Sequence, residues 1–245
     1  MKIPSIVFVC IFCTSFALAQ NSTPDNSYYS WYDGIVGIEN TPLFNGVEYI
    51  EGYKTTRDNH KFFINQSFYE GTVEYDGQDY YGISLKYDIY EDELIANLES
   101  EAQKSLLQLI KSKVTLFSFG GHTFINVTDA NAKAKGIEGY HERLGSNSLG
   151  TFYKKHRKRR VKKEDKRILY FEFFDTKSDY VVEMDGTYHW VNNKSDFYEL
   201  FPNIKKELKS FLNSNDALRR SDKEQQLKAL FNKASQMSNS KNPTP

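Results

Sequence analysis

The side chains able to do chemistry are thinly spread in this chain. Its five histidines are His60, His122, His141, His156 and His189. No two stand at the H-x-H, H-x-x-x-H or H-E-x-x-H spacings that aim two imidazoles at one metal ion. His122 follows Gly120-Gly121 and reads as an exposed turn residue, while His189, between Tyr188 and Trp190, reads as a strand surface position. The stretch Gly145-Ser146-Asn147-Ser148-Leu149-Gly150 has no serine with glycine at both −2 and +2, so it is a hairpin loop and not a nucleophile elbow. Tyr90-Glu91-Asp92-Glu93 offers carboxylates of the kind that bind calcium or trade protons. No calcium-loop spacing surrounds them, and a charged turn that keeps a hairpin soluble accounts for them. Neither a phosphate-cradling glycine loop nor a dinucleotide fingerprint is present. The expectation is no metal, no cofactor and no catalytic residue.

One charged feature stands out. From Lys154 to Arg167 the chain reads KKHRKRRVKKEDKR, with ten of fourteen residues Lys or Arg. Only Val161 is apolar, so the run cannot be a buried strand. Two readings follow. In one it is a solvated edge strand and loop whose lysines block edge-to-edge pairing. In the other, Lys154, Lys155, Arg157, Lys158, Arg159, Arg160, Lys162 and Lys163 bind an anionic partner. Lys+Arg and Asp+Glu both total 32, so this cluster leaves the remainder net acidic and the molecule polarised. A pI near 7.0 gives no general attraction to nucleic acid.

The partner's nature depends on the compartment. Lys2, the apolar run Ile6 to about Phe16 and the small-x-small triplet Ala17-Leu18-Ala19 read as a signal peptide over residues 1–19, cleaved before Gln20. The run is short of the ~20 residues that span a bilayer, so no transmembrane segment is expected after cleavage. Both cysteines, Cys10 and Cys13, lie inside it. The mature chain therefore has no disulfide, thiolate metal site or cysteine nucleophile, and its core alone must hold it. In an exported protein the anionic partner would be a lipid head group, lipopolysaccharide, an acidic glycan or another envelope protein.

The elements that must position these residues are mostly strands. Residues 20–30 form a polar leader. From 31 to 191, alternating aromatic and β-branched residues predict an antiparallel β domain. The clearest stretch is Tyr81-Gly82-Ile83-Ser84-Leu85-Lys86-Tyr87-Asp88-Ile89. Tyr80 and Tyr90 fall on its presumed wet face. Asn45-Gly46, Asp76-Gly77 and Asp185-Gly186, with Gly120-Gly121 as a looser case, are hairpin signals. Keeping one apolar face favours three-residue loops, which pair Val73 with Asp79, Val182 with Tyr188 and Tyr180 with Trp190. Glu99 to Lys111 reads as a short helix or turn, with Leu106, Leu107 and Ile110 at helical spacing, and Thr128 to Gly139 as a loop. Residues 192–237 change to a 3.6 period, with Ser195 as a cap, a break at Pro202 and a capping box at Ser221 to Glu224. A disordered tail is expected over 238–245. The fold class is α+β, a mainly antiparallel sheet built of hairpins with two or three C-terminal amphipathic helices.

Asn45-Gly46-Val47-Glu48-Tyr49, Gly71 to Gln78 (GTVEYDGQ), Leu85 to Leu94 (LKYDIYEDEL), Asp185-Gly186-Thr187-Tyr188, Leu200-Phe201-Pro202 and Lys205 to Lys209 resemble a group of uncharacterised exported proteins of Bacteroidota. That resemblance covers most of the mature chain and implies a compartment and a build, with no catalytic residues to carry over. The function expected is that of an exported, non-catalytic binding or scaffold protein of the cell envelope. A carbohydrate-binding module would show a row of coplanar aromatics on one sheet face. A glycan-acting hydrolase would show two carboxylates ~5–10 Å apart in a cleft.

Overall fold

The computed structural model describes residues 37–56, 58–99 and 104–241, with side chains through 238. The expected signal peptide and leader lie outside the described residues, as does the expected tail beyond Lys241. Among the described residues, thirteen strands make an eleven-stranded antiparallel sheet, ordered β1-β5-β4-β3-β2-β6-β7-β8-β9-β12-β13, and a separate two-stranded ribbon, β10-β11. The strands are β1 Val47–Glu48, β2 Tyr69–Tyr75, β3 Gln78–Asp88, β4 Glu93–Glu99, β5 Lys104–Gln108, β6 Val114–Phe119, β7 His122–Val127, β8 Gly139–Asn147, β9 Gly150–Lys155, β10 Lys158–Asp165, β11 Ile168–Asp175, β12 Asp179–Met184 and β13 Thr187–Trp190. The helices are α1 Ala130–Ala134, α2 Lys194–Leu200, α3 Lys205–Ser214, α4 Asp216–Arg220 and α5 Lys223–Lys241. This is the expected α+β class.

The hairpin loops are shorter than facing alone demanded. Tyr75 pairs with Gln78 and Val73 with Tyr80, so Asp76-Gly77 is a two-residue loop, with φ of 54° and 78°. Met184 pairs with Thr187, Val182 with His189 and Val181 with Trp190 around Asp185-Gly186, at 48° and 74°. Both are primed turns, whose twist matches that of the strands. The lost parity is recovered further along β3. The register slips between Gly71 and Thr72, where Gly82, at φ 67°, bulges out of the ladder. A bulge moves every later side chain to the opposite face. Val73 and Tyr80 thereby share a face with Ile83, Leu85 and Tyr87. Tyr80, expected on the wet face, is fully buried, and Tyr90 is half-buried.

Around Gly77 and Gly186 there is open space for a Cβ. Valine there would meet only the cost of a left-handed backbone, about 1–2 kcal/mol. Gly77→Val and Gly186→Val are each expected to lower unfolding stability by that amount in urea titration. An unchanged midpoint for either would contradict the turn geometry.

Asn45-Gly46 is not a hairpin. Asn45, at φ −83°, closes a 3-10 turn over Pro42–Phe44, and the chain then pairs with the edge of β5. The signal misled because Pro42 starts a tight turn where a first strand was needed. Residues 104–108 are strand, not helix. Leu107 and Leu109 are buried while Leu106 and Ile110 are exposed, a period of two that β4 fixes by offering a ladder partner. The loop before Gly139 contains helix α1, capped by Asp129, whose carboxylate accepts from the Ala132 N–H at 2.8 Å.

Four helices follow β13 among the described residues, more than expected, and α5 runs past Ser238 to Lys241. Asn193, not Ser195, caps α2 through a capping box with Asp196. Asp222, not Ser221, caps α5 by accepting from Gln225 N–H at 2.8 Å. These helices cover one face of the last strands. Phe152, Tyr180, Val182 and Val191 pack there against Phe197, Leu208, Leu227, Leu230 and Phe231. Their neighbours Tyr153 and Val181 point the other way, onto Val127, Ala132 and Ile137. Alternation buries both faces of β9 and β12. Strands β2 to β8 hold a separate aromatic core around Tyr75, Tyr80, Tyr87, Phe117, Phe124 and Tyr140.

Candidate functional site: a cationic cavity

Where β9 ends and the chain leaves the sheet for the ribbon, there is a cavity of about 720 Å³. Lys111, Lys133, Lys155, Arg157, Lys158 and Arg159 line it, against the carboxylates Asp92 and Glu138. Its floor is an ion cluster centred on Asp92. Lys155 Nζ lies 2.7 Å from Asp92 Oδ1, Lys111 Nζ donates to Asp92 Oδ2, and the Tyr87 hydroxyl donates to Oδ1 at 2.7 Å. Tyr140 N–H reaches Oδ2 at 3.3 Å. Asp92 occupies the turn between β3 and β4 at φ 58°, a backbone aspartate tolerates better than most residues.

Burial alone would raise the Asp92 pKa. The ammoniums of Lys155 and Lys111 overcome it and hold the carboxyl below its ordinary value, so Asp92 is anionic. For Lys155 the balance runs the other way. Burial pushes its ammonium down to about 8, and Asp92 only partly restores it. Beneath the cluster, Gly139, at φ 77°, brings the backbone so close that a Cβ would stand 2.0 Å from Asp92 Oδ2 and 2.8 Å from Lys111 Nζ. Buried His141 beside it donates from Nδ1 to the Gly139 carbonyl, 2.9 Å away. Burial, reinforced by Lys155, pushes its pKa down to about 4, so it adds no charge at neutral pH.

The basic run divides on folding. Lys154 and Lys155 point to opposite faces of β9: Lys154 Nζ donates to Glu224 of α5 at 2.6 Å, and Lys155 enters the cavity. Arg157 Nε donates to Asp179 at 2.5 Å, and Lys158 Nζ to the His60 carbonyl at 3.0 Å. Arg159 is exposed, its guanidinium 4.8 Å from the Phe174 ring centre. Arg160 lies over Tyr53, Tyr90 and Phe171 at 4.9, 5.5 and 5.1 Å, pinning the base of the ribbon. Lys162 and Lys163 are exposed on the ribbon itself. Of the eight basic residues singled out, Lys155, Arg157, Lys158 and Arg159 reach the cavity. The turn residues Asn45, Gly46, Asp76, Gly77, Asp185 and Gly186 are not among its lining residues.

Sequence reasoning read Asp92 as part of a solvated turn, but its side chain is only 19% exposed and carries two lysines. It missed Lys111 and Lys133 altogether. Each is a single lysine in an unremarkable segment, and it takes the successive pairing of β6, β7, β8 and β9 to bring them to the cavity that Lys155 enters.

A second cluster adjoins a smaller cavity of about 400 Å³. Glu142 receives His122 Nδ1 on one oxygen at 2.5 Å and His156 Nε2 on the other at 2.6 Å. Phe63 stands edge-on to both rings, 4.8 and 4.9 Å from their centres. Burial would raise the Glu142 pKa, and the two histidines outweigh it. His122 is therefore half-buried and bonded, not a free turn residue. Among the described residues, no group of three His, Cys, Asp or Glu side chains is arranged to hold a metal ion. No helix among them is long and apolar enough to cross a membrane.

Compared with known proteins, the chain matches no family model, no curated protein and no solved structure.

Proposed function

We propose that the protein is an exported, non-catalytic binding protein of the cell envelope whose cavity receives a phosphate- or carboxylate-bearing group. Lipid head groups, lipopolysaccharide and acidic glycans share that chemistry. The observation that carries the reading is the lining, six cations against two carboxylates in one concave site. Such an excess raises the local potential, and partial burial strengthens each contact above its value in open water. Asp92 counts against catalysis. Bound to two ammoniums and held ionised, it has no proton to give a leaving group and little basicity to take one. The apolar segment at residues 1–19 supports export, and with it an envelope ligand.

Glycerol phosphate and glucuronate, titrated calorimetrically at low salt, are the probes. Lys133 and Arg159 are exposed and do not belong to the Asp92 cluster. Lys133→Gln with Arg159→Gln is expected to weaken binding about tenfold, at roughly 1 kcal/mol or less per cation, with little loss of stability. Affinity is also expected to fall as pH rises through about 8, where Lys155 gives up its proton. If neither probe binds, or if binding ignores both substitutions and pH, the reading fails.

A further inference from the structure

The ribbon beyond the cavity has its own surface chemistry. Among the described strands β10 and β11 form a ladder with each other alone, from Lys158 with Asp175 out to Asp165 with Ile168, and a single parallel bridge joins Phe171 to Thr55 near the base. A bare two-stranded ribbon is marginal in water, and here the base is pinned. Asn59 exchanges two hydrogen bonds with the Phe173 backbone, at 2.9 and 2.6 Å, and the Phe171 N–H donates to the Lys54 carbonyl at 2.8 Å. From Lys162 to Leu169 every residue is exposed.

We propose that this distal half docks on an anionic lipid surface, its apolar tip entering the head-group boundary while its cations meet the lipid phosphates. Ile168 is 52% exposed and Leu169 42%, adjacent large aliphatics at the far end of the ribbon. Lys162, Lys163, Lys166 and Arg167 surround them, against Glu164 and Asp165. The tip itself is unusual. Lys166 and Arg167 form the two-residue turn with φ of 48° and 67°, paired left-handed positions that the turns at 76–77, 120–121 and 185–186 give to Asp-Gly or Gly-Gly. A long cationic side chain gains nothing there conformationally. Its presence puts two charges at the most advanced point of the ribbon.

An apolar wedge collared by cations is the arrangement that partitions into anionic interfaces. A soluble polyanion would satisfy the cations and leave Ile168 and Leu169 in water. The proposal uses none of Asp92, Lys111 and Lys155, so it stands apart from the cavity.

The test is co-sedimentation of the full chain with vesicles of equal parts phosphatidylglycerol and phosphatidylcholine. Phosphatidylcholine vesicles correct for the apolar first segment. Wild type is expected to bind the anionic vesicles, less as salt rises. Ile168→Ser with Leu169→Ser, and separately Lys166→Gln with Arg167→Gln, are expected to weaken binding at least about tenfold. All four positions are exposed, so both variants should melt as wild type does. Soluble glycerol phosphate, added in excess to occupy the cavity, should leave wild-type vesicle binding nearly unchanged, which separates this surface from the cavity. No preference for anionic vesicles would overturn the proposal. So would wild-type binding by the Ile168/Leu169 variant, because the surface would then be a polyanion site that needs no bilayer.

Discussion

Asp92→Ala should destabilise the protein by about 3–5 kcal/mol at neutral pH, the usual cost of removing one partner from a buried ion pair. Lys155, 7% exposed, loses its counter-charge, and the Tyr87 hydroxyl, on a fully buried ring, loses its acceptor. Lys111 is 41% exposed and can turn to water, so it adds little. Asp92→Asn keeps an acceptor for Tyr87 and a residue that tolerates φ 58°, so it isolates the charge and should cost less than alanine. The pH dependence has a definite sign. A depressed carboxylate pKa contributes stability that is present above the unfolded value, 3.8, and lost as pH falls through the lower folded value. The gap between wild type and Asp92→Ala should therefore narrow below about pH 4. Lys155, at about 8 in wild type, should titrate lower still in the variant. Urea unfolding across pH and NMR titration of the Lys155 ammonium measure both. A cost under ~1 kcal/mol, or a gap independent of pH, would mean that the cluster is solvated and the cavity floor is not an ion cluster.

The fold was more legible in the sequence than the site, and the reason is range. Alternation and Asx-Gly turns are local, so the hairpins around Asp76-Gly77 and Asp185-Gly186 could be read from a dozen residues each. The error in loop length came from assuming that a strand keeps one parity throughout. Gly82 breaks that parity, and an isolated glycine inside an alternating run was the available sign of a bulge. The basic run was visible as composition, yet its division was not. Adjacent Lys154 and Lys155 face opposite sides of β9 because the pleat alternates. Arg160 is committed to Tyr53 and Tyr90 by contacts that cross 107 and 70 residues of chain, none of them marked locally. Asp92, Lys111 and Lys155 come from three distant segments with no shared motif. A cluster assembled by sheet order leaves no local periodicity to find.

Gly139→Ala is expected to be the second large loss, and its size should depend on Asp92. In wild type the new Cβ meets two penalties. One is the left-handed backbone at φ 77°, about 1–2 kcal/mol. The other is the approach to Asp92 Oδ2 at 2.0 Å, a contact that cannot exist, so the carboxylate must leave the two lysines. The two effects together should reach about 3–5 kcal/mol, the buried pair being broken as surely as by mutation. In an Asp92→Ala background the obstructing oxygen is already gone. What remains is the backbone cost and the approach to Lys111 Nζ at 2.8 Å and Lys155 Nζ at 3.1 Å, the far ends of flexible chains that can swing aside. The double variant should therefore be more stable than the sum of the single losses predicts, by about 1–3 kcal/mol, in the range seen for residues in direct contact. Simple additivity would show that Gly139 is required for its backbone alone. Strong coupling would show that glycine is held there so that an aspartate can reach the start of β8 and neutralise two lysines at the bottom of a cationic cavity.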